Sequence, residues 1–168
     1  MVLTPGLRKL SLAVHLTASI GWLGAAAAFL ALAIAGATSE DAQLVRAACM
    51  TMDLTVTFVI VPLAGVSLVT GLVSAVGTTW GLFRHYWVLV KLVLTAVAFI
   101  VLLVQLQPIG YMARMAADAG APVAALRGMS LQPLIHSAGG VAVLLIVQIL
   151  GVYKPRGLTR YGRRGASA

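Results

Sequence analysis

"LSLAVHLTASIGWLGAAAAFLALAIAG", Leu10 to Gly36, decides the architecture, because it sets whether the chain crosses a bilayer an even number of times. It follows Arg8 and Lys9 and runs into small residues, as a secretory signal would. The apolar region of a signal is about 7–15 residues long. This run extends from position 10 to position 36 and carries His15, Trp22 and several hydroxyls. At 1.5 Å per residue it reaches about 40 Å, more than a hydrocarbon core of about 30 Å. It reads as a true span.

The composition agrees. Of 168 residues 61% are hydrophobic and only 10% charged, with a mean hydropathy of +1.02. A soluble domain is about half apolar and about a quarter charged, so a soluble chain of this length could not hide so much apolar surface. Three further spans are expected, over 54–76 with a helical extension back through Ala42, over 86–105 and over 131–153. The stretch "GYMARMAADAGAPVAALRGM" between the last two predicts a short surface helix followed by a loop. Residues 1–168 therefore read as one transmembrane domain, an all-α, up-down four-helix bundle with a basic tail over 154–168.

The net charge of +8 is placed for a membrane rather than for nucleic acid. Arg8, Lys9, Arg84, Lys91 and the tail cations Lys154, Arg156, Arg160, Arg163 and Arg164 fall on one side, and Arg46, Arg114 and Arg127 on the other. The positive-inside rule puts both termini in the cytoplasm of a multi-pass bacterial inner-membrane protein, its tail against anionic lipid head groups. Trp80, Tyr86, Trp87 and Tyr153 would form an inner aromatic belt. Gly21, Gly24 and Ala25 in the first span, with Gly139 and Gly140 in the fourth, predict close helix contacts. Pro62 should bend the second helix near its middle. One cysteine excludes an internal disulfide.

Few side chains could carry chemistry. His15 shares a helix face with Ser19, Trp22 and Ala26, and is either an imidazole bonded to a carbonyl or hydroxyl or a cofactor-binding residue. His136 has Gln132 and Gly140 one turn to either side. Two histidines on two spans suggest a b-type haem. Their depths leave a vertical gap of about 13 Å, against about 4 Å between two nitrogens on one iron, so a shared haem is disfavoured. Cys49, Met50, Met52 and Asp53 lie at the outer end of the second helix, and Met112, Met115, Met129 and His136 fall on that same side. Thiol and thioether select Cu(I), and imidazole can complete the set, which makes Cys49, Met50, Met52, Asp53 and His136 candidate metal ligands. Methionine also fills ordinary cores, and that reading stands beside it. Lys91 can snorkel to the cytoplasmic head groups, while Gln105 and Gln148 can bond between helices. No nucleophile–base pair, phosphate loop or pair of intramembrane carboxylates points to an enzyme.

"HLTASIGWLG", with His15, Trp22 and Gly24, and "YWVLVKLVL", with Tyr86, Trp87 and Lys91, resemble the small integral membrane proteins related to the copper-resistance D (CopD) family. The resemblance implies a bacterial inner-membrane bundle and copper handling. The expected function is then a protein that binds or passes a soft metal ion, Cu(I), at its periplasmic end. A small haem protein for electron transfer is one alternative. A non-catalytic subunit of a larger membrane complex, or a homo-oligomer, is the other.

Overall fold

The computed structural model describes residues 4–77, 85–153 and 157, so Trp80, Arg84 and the basic tail cations lie outside the described residues. Helix α1 covers Pro5–Thr38, and Pro5 in its first turn has its φ pre-set for a helix and no N–H to leave unpaired. Asp41 caps α2, Ala42–Thr55, by accepting a hydrogen bond from the Gln43 amide at 2.8 Å. A π-helical turn, Val56–Ile60, runs straight into α3, Val61–Gly77. Helix α4 covers Tyr86–Ala117 and α5 covers Val123–Tyr153. The described residues are thus all-α, and four helical rods are long and apolar enough to cross a membrane: Pro5–Thr38, Ala42–Val76, Tyr86–Ala117 and Val123–Tyr153.

Neighbouring rods run antiparallel. The start of α1 meets the end of α3 where Ser11 and Ser74 share a hydrogen bond of 3.0 Å. At the same end the Tyr86 amide donates to the Gly157 carbonyl at 3.3 Å, joining the start of α4 to the segment after α5. Helix α1 packs on α3 and α5, and α4 packs on α2, α3 and α5. The tight core sits at the opposite, far end, where Ala33, Val45, Cys49, Met52, Val56 and Leu126 have no exposed surface.

Proline acts on the second rod as its chemistry requires. Pro62 cannot donate to the Phe58 carbonyl, and the turn just before it widens so that the Val61 amide reaches Val56. The link between the third and fourth rods is shorter than expected. Helix α4 continues to Ala117 and α5 starts at Val123, which leaves residues 118–122 as the turn and no separate surface helix. The reason is Arg46 of α2, whose guanidinium donates to the carbonyls of Ala116, Asp118, Ala119 and Ala121. Those acceptors are the unpaired carbonyls at the end of α4 and the turn beyond it. Arg127 and Glu40 add an ion pair of 3.2 Å at this end.

Of the four glycines expected at helix contacts, Gly21 alone is in one. A Cβ on Gly21 would lie 3.3 Å from Leu63, so α1 and α3 do approach closely there. A Cβ on Gly24, Gly139 or Gly140 would meet nothing within 4 Å. In α5 the two glycines border open space instead of a helix contact.

Candidate functional site

Two groups of side chains were candidates, and the structure treats them differently. At the far end Cys49 and Met52 are fully buried on one face of α2, as their i, i+3 spacing demands. Their neighbour is Ser130 of α5. The Cys49 Sγ and the Met112 Sδ each lie 3.7 Å from the Ser130 hydroxyl, which donates to the Leu126 carbonyl at 2.9 Å. A Cβ on Gly36 would sit 2.9 Å from that hydroxyl and 3.5 Å from the Met52 methyl, so the cluster is closed by α1 as well.

The remaining expected ligands are not gathered there. Met50 is 40% exposed on another face of α2. Asp53 and Arg114 both lie against Gly110 of α4. His136 is exposed, its Nδ1–H donating to the Gln132 carbonyl at 2.8 Å, and it lines a crevice between α4 and α5. Among the described residues no three His, Cys, Asp or Glu side chains are grouped to hold a metal ion. Cys49, Met52 and Met112 with Ser130 form a packed sulfur-rich core that Met50, Asp53 and His136 do not join.

His15 stands in a different setting. Its Nδ1–H donates to the Ser67 carbonyl at 3.0 Å and to the Thr70 hydroxyl at 3.2 Å. Thr70 directs its own proton to the Val66 carbonyl at 2.6 Å, so the imidazole is the donor in both contacts. The neutral ring therefore carries its proton on Nδ1, and Nε2 keeps its lone pair without a hydrogen bond among the described residues. Gly71 makes this placement possible, because a Cβ there would lie 3.0 Å from the His15 Cε1. Ser19 and Ser67 bond at 2.7 Å one turn deeper.

This ring lines a cavity of about 560 Å³ at the end of the bundle where α1 begins, within the range of about 300–1,000 Å³ typical of small-ligand sites. Arg8, Trp87, Lys91, Thr95 and Gln148 line it too, so all four rods contribute with α3. Lys91 turns inward to this cavity, its ammonium 3.1 Å from where a Gly151 Cβ would stand. Trp87, expected in an aromatic belt, is part of the same wall. Two cations and a histidine thus share one chamber with hydroxyls and an amide, and among the described residues its lining includes no carboxylate. Such a chamber can take an anion. It can also offer one nitrogen ligand, because a metal-bound histidine commonly donates its other N–H to a backbone carbonyl.

The stretches "HLTASIGWLG" and "YWVLVKLVL" meet here, His15 from one and Trp87 and Lys91 from the other. The sequence reading missed Ser67, Thr70, Gly71 and Ser74. Their signal was the polar repeat in "SLVTGLVS" at one-turn spacing, an unusual stripe in an otherwise apolar helix. No family model matches the chain, and neither the curated proteins nor the solved structures contain a match to it.

Proposed function

We propose that the protein is a multi-pass bacterial inner-membrane protein whose His15–Lys91 chamber binds an anionic group, a carboxylate or a phosphate. The observation that carries this reading is the inward turn of Lys91 into a chamber shared with Arg8 and His15 and lined by no acid among the described residues. An ammonium held inside a bundle of apolar helices is costly unless something compensates it. Large apolar side chains such as Phe58, Val104 and Ile135, each about 70% exposed, suit a hydrocarbon surrounding. With the positive-inside orientation, the chamber opens toward the cytoplasm.

The test is thermal unfolding in nanodiscs of zwitterionic lipid with inorganic phosphate or butyrate, against sodium chloride at equal ionic strength. The expected result is stabilisation by either anion that disappears in Lys91→Met and weakens in Arg8→Gln. Equal responses in wild type and Lys91→Met would refute the assignment.

A second reading is favoured by the His15 Nε2, which has no hydrogen bond among the described residues, while Nδ1–H is held by a backbone carbonyl as in many metal-bound histidines. The two cations would then neutralise the carboxylates of the macrocycle. A Soret band in protein from haem-replete cells, lost in His15→Ala, is the expected sign, and its absence ends this reading. A soft-metal reading finds its support in the buried Cys49 and Met52, with the Met112 sulfur on the same Ser130 hydroxyl as the Cys49 sulfur.

A further inference from the structure

The anion chamber does not end at His15. A small cavity of about 20 Å³ beside it is bordered by His15, Ser19, Lys91 and Thr95 on one side and by Trp22 and Leu144 on the other. Trp22 and Leu144 in turn border a second cavity of about 360 Å³ between α4 and α5. The small cavity thus lies between the two large ones, a throat that Trp22 and Leu144 close from the second cavity. Their chemistry differs. The first holds the cations and hydroxyls, whereas the second is walled by valine, leucine, isoleucine, phenylalanine and alanine, with Gln105, His136 and Ser137 as its polar residues.

The second cavity is a crevice open at the side of the bundle. Val97, Val101 and Ile135 on its rim are between 41% and 69% exposed. Gly139 and Gly140 border it with no atom within 4 Å of their Cβ positions, so the missing side chains leave room that a helix contact does not use. From Lys91 to Ile109 the wall on α4 extends eighteen residues, about 27 Å, room for a long extended acyl chain within a hydrocarbon core of about 30 Å.

We propose that the ligand of this protein is a single-chain anionic amphiphile of the fatty-acid type. Its carboxylate sits with Arg8 and Lys91, and its chain runs past Trp22 and Leu144 into the α4–α5 crevice. This rests on the anion reading above and adds the chain. The adjacency of a cationic chamber and an apolar crevice, with two side chains between them, favours one molecule with both characters over a free anion. A single crevice leading from the chamber favours one chain over the two of a phospholipid. The throat as it stands is about the size of one water, so the chain enters by a rotation of the Trp22 or Leu144 side chain.

Trp22 is only 4% exposed, which makes it a reporter that bulk lipid does not reach. In a Trp80→Phe, Trp87→Phe background that keeps the stabilisation by butyrate, since Trp87 lines the chamber, Trp22 is the one tryptophan left. Dibromostearate, whose bromines quench indole on contact, is titrated into zwitterionic nanodiscs holding this protein. The expected result is a saturable loss of more than half of the emission, competed by unbrominated stearate. Lys91→Met and Gly140→Leu should each abolish it, and Lys91→Arg should retain it. Brominated phosphatidylcholine in the host bilayer should leave the emission within about a tenth of its starting value. Quenching that rises linearly with probe and is equal in Lys91→Met overturns the proposal, since it reports partition alone. Absence of quenching while butyrate still stabilises the protein overturns the chain and keeps the anion. Absence of both overturns the anion reading as well.

Discussion

Replacing Lys91 by methionine separates the cost of the site from its use. Methionine keeps most of the apolar stem and removes the ammonium, so packing is nearly preserved. A charged side chain at the centre of a bilayer costs about 2.5–3.5 kcal/mol on insertion scales. Lys91 is five residues beyond Tyr86, the first residue of α4, about 8 Å or half the distance to a midplane about 15 Å deep. Half of the central cost is about 1–2 kcal/mol, and hydration of the chamber lowers it to about 1 kcal/mol. Among the described residues no acid lines the chamber to offset that cost. In the absence of anion, Lys91→Met should therefore be more stable than wild type by about 1 kcal/mol, read by reversible unfolding in mixed micelles. At an anion concentration ten times its Kd, wild type alone gains about 1.4 kcal/mol, and the order of stability reverses. A variant that is less stable than wild type by 1 kcal/mol or more without anion would show that the ammonium holds the fold together and overturn this role of Lys91.

Arg46→Ala should destabilise the protein by about 2–3 kcal/mol, since two of its four carbonyl partners are partly buried and charged hydrogen bonds are worth about 1.5–3 kcal/mol each. Arg46→Lys should recover less than half of that, and hydrogen exchange at residues 116–122 reads the effect locally. Gly36→Ala should cost about 1–3 kcal/mol by crowding Ser130, and combining it with Ser130→Ala should recover much of the loss, as a double-mutant cycle in denaturant shows. If the sulfur cluster is core alone, Cys49→Ala should cost about 1–2 kcal/mol and leave Cu(I) uptake against a competing chelator unchanged. Tight stoichiometric uptake lost in the variant would restore the soft-metal reading. A green fluorescent protein fused after Ala168 should fluoresce, and a fused periplasmic phosphatase there should be inactive, if both termini are cytoplasmic.

The helices were legible because apolar length is written residue by residue. The helical extension of the second rod back to Ala42 and the opening of α4 at Tyr86 match the limits read from the apolar runs. A disturbance at Pro62 was legible from its missing N–H, whereas the form it takes, a π turn over Val56–Ile60, was not. The link at residues 118–122 was not legible, because its brevity depends on Arg46, more than seventy positions away in sequence. Gly139 and Gly140 show the same limit. A glycine permits close contact or leaves a gap, and only the path of the neighbouring helix selects between them.

Composition and spacing alone specified four long apolar helices and a scarcity of acids. The tertiary structure decided which polar groups meet. Side chains on helices apolar around their whole circumference carry no stripe to say which face turns inward. The rotation of each rod therefore had to be seen before His15 and Lys91 could be placed in one chamber and His136 apart from Cys49.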